Sequence, residues 1–129
     1  METAAAARRW AEEWQRAWTE HDPDRVAALY AAAATFRTSP FREPQDPRAY
    51  SEWAFSDEDS ADVRFGEPFV MSDDRAVVEW WTIAKSGGQE STIAGVSLLR
   101  FDDAGLVVEE RGHWNETSER HEPFEGWGR

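Results

Sequence analysis

Apolar side chains recur at three- and four-residue spacing through the start of the chain. Ala7, Trp10, Trp14, Ala17 and Trp18 form the stripe, and His21 closes it. That period predicts one apolar face on a helix from Thr3 to about Glu20. A second helix is predicted to start at Asp22, an N-cap residue followed by Pro23 at the first helical position. Its inner face would carry Val26, Leu29, Tyr30 and Ala33. Asp46-Pro47 repeats the start signal and predicts a short third helix to about Phe55. Between these two helices, Thr35 to Phe41 reads as a short strand followed by a turn.

Beyond Phe55 the period changes. Ser56-Asp57-Glu58-Asp59-Ser60 is a polar loop, and four strand candidates follow: Val63–Met71, Ala76–Lys85, Glu90–Phe101 and Leu106–Asn115. Their joints are turn-like, as in Ser86-Gly87-Gly88, and joints this short make antiparallel neighbours. Helix-helix-strand-helix followed by a meander is an α+β order, with the helices on one face of a sheet. Both faces of that sheet are substantially apolar. In one strand Val78, Trp80 and Thr82 alternate with Val77, Glu79, Trp81 and Ile83. The helices can cover only one face, so a second copy of the chain is expected on the other, as a homodimer through the outer sheet face. The polar tail from Glu116 ends in Phe124 and Trp127, which predicts that it packs back onto the body.

Composition narrows the function classes. The 129 residues suit one domain, 1–129, with one core. A formal charge of −12 argues against nucleic acid and anionic membranes as partners and favours a neutral or cationic ligand. With no cysteine there are no disulfides, thiolate chemistry or cysteine zinc sites. No run is apolar enough to span a bilayer, and Arg8-Arg9 after four alanines is the wrong order for a signal peptide, so a cytoplasmic protein is expected. Arginine greatly outnumbers the single Lys85, which hints at a GC-rich bacterial source. The eight tryptophans are the unusual count, and they imply an aromatic core, an aromatic pocket or both.

Several stretches together resemble a known family. Trp14-x3-Trp18-x2-His21-Asp22-Pro23, Ala34-Thr35-Phe36-Arg37 and Phe41-Arg42-Glu43-Pro44 look like the front half of nuclear transport factor 2-like proteins. Ala76-Val77-Val78-Glu79-Trp80-Trp81, Ala94-Gly95-Val96, Gly105-Leu106-Val107-Val108-Glu109 and Trp114 look like the back half, nearest the SnoaL-like branch. The resemblance implies a cone: a curved, mostly antiparallel sheet wrapped around three helices and open at one end. It also implies relatives that isomerise ketosteroids, hydrolyse epoxides, dehydrate or cyclise, beside relatives that only bind. The familiar catalytic residues are largely replaced. Trp14, Thr38 and Ser97 stand where ketosteroid isomerases keep a tyrosine and two aspartates, while Trp114 matches a pocket tryptophan. Trp80, Thr82, Phe36 and Thr38 replace polar residues of limonene epoxide hydrolases, and Gly112 replaces the aspartate of the last strand.

That register places Val78, Trp80, Thr82, Ile93, Ser97, Glu110, Gly112 and Trp114 on the concave face, with Trp14, Phe36, Thr38 and Trp53 closing it. The expected ligand is a small apolar molecule, without cofactor or metal. Glu110 is the expected acid–base residue, since a carboxylate among tryptophans loses solvation and its pKa rises. Thr38 and Ser97 would orient the substrate. Plainer readings stand beside this one. The aromatics can simply fill the cone, and Glu110 can sit exposed at the mouth or pair with an arginine. His21 reads as local packing, His113 as outer face and His121 as tail. No HExxH, Gly-rich phosphate loop or nucleophile elbow is present.

Overall fold

The computed structural model describes residues 1–129. Helix α1 runs Thr3–Glu20 and buries Ala7, Trp10, Trp14 and Ala17 along the predicted stripe. It stops at His21, whose left-handed backbone (φ 55°) lets Asp22 N–H reach back to the Ala17 carbonyl at 2.8 Å. Helix α2, Pro23–Ala27, is capped by the Asp22 side chain on the Arg25 N–H. It is shorter than expected. Leu29, Tyr30 and Ala33 do not lie on a helix face, because strand β1 occupies Tyr30–Arg37. The alanine run favours helix locally. Pairing with the last strand overrides that preference at Tyr30↔Val107 and again from Thr35↔Glu109, with an irregularity between.

Helix α3, Pro47–Ser56, starts where Asp46 caps the Ala49 N–H. The predicted Val63–Met71 strand is two pieces, β2 (Ser60–Phe65) and β3 (Phe69–Val70). Pro68, which has no N–H to give a ladder, lies in the break. Strands β4 (Arg75–Ser86), β5 (Gln89–Phe101) and β6 (Val107–Thr117) form the meander. The sheet order is β1-β6-β5-β4-β2, with β3 also on β4. Only β1–β6 is parallel. This is the α+β cone: the helices fill the concave side, where Trp10, Val26, Val78 and Val107 are fully buried.

The tail crosses the outer face. Thr92 accepts the His121 N–H and donates to the Glu119 carbonyl. Trp81 donates its indole N–H to the His121 carbonyl at 2.8 Å and meets Phe124 and Trp127 edge-on. Gly128 then lies against Gly66, so closely that a Cβ on Gly66 would be 2.6 Å from the Gly128 Cα. The chain's own C-terminus thus covers one corner of the face expected to need a second copy. No helix is long and apolar enough to cross a membrane.

Candidate active-site cavity

The cone encloses a cavity of about 270 Å³, close to the lower end of the ~300–1,000 Å³ usual for ligand pockets. Three rings of α1, Trp10, Trp14 and Trp18, form one wall, and Trp80, Ile93 and Trp114 from the sheet form the other. The Trp18 and Trp80 rings meet at 5.9 Å.

Glu110 lies at the base, only 5% exposed. Its oxygens accept two hydrogen bonds, from the Tyr30 hydroxyl at 2.5 Å and from the Ser97 hydroxyl at 3.0 Å. Behind each hydroxyl stand indoles. Trp10 and Trp14 donate to the Tyr30 oxygen at 3.2 and 2.8 Å, and Trp80 donates to the Ser97 oxygen at 3.2 Å. An indole N–H only donates. The network therefore runs one way, with every protein donor aimed toward the carboxyl group. Burial pushes Glu110 from 4.5 up to about 7, and the Tyr30 and Ser97 hydrogen bonds hold it from rising further. When Glu110 is protonated, the Tyr30 oxygen, already accepting from two indoles, has no lone pair left for its proton, whereas the Ser97 oxygen, accepting from Trp80 alone, keeps one. The Tyr30 hydroxyl is pushed well above its ordinary value, first by burial and then by the Glu110 charge, and stays a donor.

The mouth is built by the 38–46 loop, closed by Gln45 N–H on the Phe36 carbonyl at 2.8 Å. Arg42 donates to the Thr38 hydroxyl at 3.2 Å, and Trp114 donates to the Thr38 carbonyl at 2.6 Å. Tyr50 faces the same guanidinium. Burial raises its hydroxyl, and Arg42 pulls it back. A second carboxylate, Glu58, faces the cavity from the other side and takes the Trp18 N–H at 2.9 and 3.1 Å. His21 Nε2 lies 3.3 Å from it, and burial raises Glu58 above its ordinary value. The His21 ring also stacks on Phe55, with centres 5.3 Å apart. No three acidic or imidazole side chains converge as metal ligands would.

Trp14, Phe36, Thr38, Trp53, Trp80, Ile93, Ser97, Glu110, Gly112 and Trp114 all line the cavity. Trp53 is 60% exposed and stands at the rim. Val78 and Thr82 do not line it. Both are 0% exposed on the expected face: Val78 lies in the core packed against α1, and Thr82, between the lining residues Trp80 and Ala84 on β4, is fully covered by its neighbours. Glu110 is neither at the mouth nor paired with an arginine. The hydroxyls of Thr38 and Ser97 are already committed, the first to Gln45 and Arg42 and the second to Glu110 and Trp80. They hold protein groups in place and leave no donor for a substrate carbonyl. Gly112 carries no acid because none fits there: a Cβ would be 2.5 Å from the Thr38 carbonyl oxygen.

Sequence reasoning missed Tyr30, assigned to a helix, Glu58, placed in a loop, and Arg42, given no role of its own. The alternation of Glu110 with Gly112 and Trp114 was the signal for the base of the cavity. Nothing comparable marks a loop residue.

A SnoaL-like domain model matches residues 11–110. The chain belongs to the SnoaL-like family. No curated protein matches the sequence. Among solved structures, RV0760c from Mycobacterium tuberculosis is similar, with a TM-score of 0.69 at 24% identity over 91% of this chain and 98% of that one. Δ5-3-ketosteroid isomerase from Mycobacterium sp. gives a TM-score of 0.69 at 20% identity, covering 91% and 98%. SalBIII, an epoxide hydrolase/cyclase-like enzyme of salinomycin pyran ring formation, gives 0.73 at 14% identity, covering 89% and 95%. At such identities the likeness is one of fold, and this SnoaL-like chain's chemistry rests on its own residues.

Proposed function

We propose that this SnoaL-like protein is a cofactor-free acid–base enzyme of isomerase, cyclase, dehydratase or hydrolase type, acting on a small apolar molecule. One observation carries the reading: a one-way hydrogen-bond network ends on a buried carboxyl that lines the cavity. Glu110 with a pKa of about 7 is half protonated near neutrality, so it serves as base and as acid at the same pH. A single group that takes a proton and returns it elsewhere suits proton relocation best, as in isomerisation. Support for the pocket as a ligand site comes from relatives. RV0760c has been solved with estradiol-17beta-hemisuccinate, and a computationally designed 17-OHP binder shares the fold.

The test is deuterium wash-in from D2O at the carbon next to the carbonyl of a tetralone, followed by NMR. The expected result is catalysed exchange that rises with pH through about 7 and is absent in Glu110→Gln. A second reading is ligand binding without turnover. It draws on the fact that both Glu110 oxygens already accept protein hydrogen bonds. Tetralone binding with no exchange above background would select it over the enzyme. We also propose that two copies associate through the part of the outer face left open by the tail, where Val96 and Leu98 are half-buried beside exposed Arg111 and His113.

A further inference from the structure

One cation, Arg42, lines the cavity, and no carboxylate pairs with it. The Arg42 guanidinium carbon lies 5.9 Å from the Trp53 ring centre and 5.5 Å from that of Trp114. One of its N–H groups reaches Thr38. Arg42 takes part in none of the chain's ion pairs. Arg9, Arg16, Arg37, Lys85 and Arg129 share that lack, but none of them lines the cavity, and Arg42 does. A guanidinium carries five N–H donors in one plane. Aromatic rings engage its charge and its face, which leaves the in-plane edge for a planar oxyanion.

We propose that the cavity takes an apolar acid, with its carboxylate on the edge of Arg42 at the mouth and its ring body among the tryptophans. This rests on the reading of the cavity as a ligand site. The spacing fits. Arg42 is bonded to Thr38, and the Thr38 backbone abuts Gly112, two residues from Glu110 on the same face of β6. Two residues of strand span ~7 Å, about the length of a fused pair of rings. An acid bound at Arg42 thus presents the far end of its body to Glu110.

Three carboxylates besides Glu110 also line the cavity, and they would favour an amine instead. Their placement weakens them. Glu58 is occupied by Trp18 and His21. Asp57 and Glu116 are exposed, where water and salt screen a charge. Arg42 is half-buried between two rings, where a charge pair is stronger.

The experiment is isothermal titration of the full chain with three probes of one shape: a naphthoate, its methyl ester and the matching naphthylmethylamine. The naphthoate is expected to bind at least ~10-fold tighter than the ester, a gap of the size one charge-assisted pair supplies. Added salt should narrow that gap. Arg42→Met should bind acid and ester alike. Arg42→Lys should recover part of the preference, since it restores the charge without the fork. If the ester binds as tightly as the acid, or the amine binds best, this inference is overturned while the ligand-site reading stands. If no probe binds, both fall.

Discussion

A carboxyl group shut away from water stores a pH dependence that can be read from outside. At low pH Glu110 is protonated in the folded and unfolded chain alike and costs nothing. As pH rises past 4.5, the unfolded chain gives up the proton that the folded chain keeps until about 7. Unfolding then releases a proton, so stability falls with pH across that window. Above it the full cost of holding a buried charge is present, roughly 3 kcal/mol at ~1.4 kcal/mol per pH unit. Glu110→Gln has no proton to lose. In urea unfolding followed from about pH 4 to pH 8, the wild type should lose ~3 kcal/mol relative to the variant. Glu58 is also raised and slopes the same way, but both proteins contain it, so it cancels in the difference. Parallel profiles would show that Glu110 is not perturbed by its burial. At this scale the candidate base was legible in the sequence and its partners were not. Glu110 alternates with Gly112 and Trp114, whereas Tyr30 lies 80 residues away and meets it only when β1 docks beside β6.

Elements with a strong local signal kept their boundaries. The α1 stripe, the Asp22-Pro23 and Asp46-Pro47 starts and the long hairpin β4–β5 all rest on periodicity or capping within a few residues. The segment from Leu29 to Ala34 did not, because a helix-favouring alanine run lost to a parallel pairing decided far along the chain. The tail is an element of another kind, a strap held by contacts across the sheet. Its energetic weight falls on Trp81 against Phe124 and Trp127. Aromatic pairs of this geometry contribute ~0.5–1.5 kcal/mol each. Replacing both Phe124 and Trp127 by alanine should therefore cost about 1–3 kcal/mol in chemical denaturation. The fully exposed Phe41→Ala, a control with no such contacts, should cost nothing measurable. An unchanged midpoint in the double variant would mean that the strap lies on the surface without stabilising it.

For the whole molecule, the open question is what meets the rest of the outer face. The strap covers the corner around Trp81, while Val96 and Leu98 stay half-buried without a cover. A stable interface needs about 1,000 Å² or more, and the face of β5 and β6 is where two copies would find it. Sedimentation equilibrium at micromolar concentration should give the mass of two chains, and Leu98→Arg should give one. A one-chain mass for the wild type would leave the strap as sufficient cover by itself.

The sequence by itself determined what depends on neighbours along the chain: the helix stripe, the caps, the strand alternation, the acidic balance and the tryptophan count. From these came the cone, its aromatic lining and the one carboxyl group at its base. The tertiary structure decided what depends on distant segments meeting. It brought Tyr30 to Glu110, left Val78 and Thr82 fully covered and outside the cavity lining, and occupied the hydroxyls of Thr38 and Ser97. It also set Arg42 between two rings at the mouth and laid the tail over Trp81. The division follows from range: a backbone period repeats every few residues, whereas the partner of a buried polar group is fixed only by the fold that desolvates both.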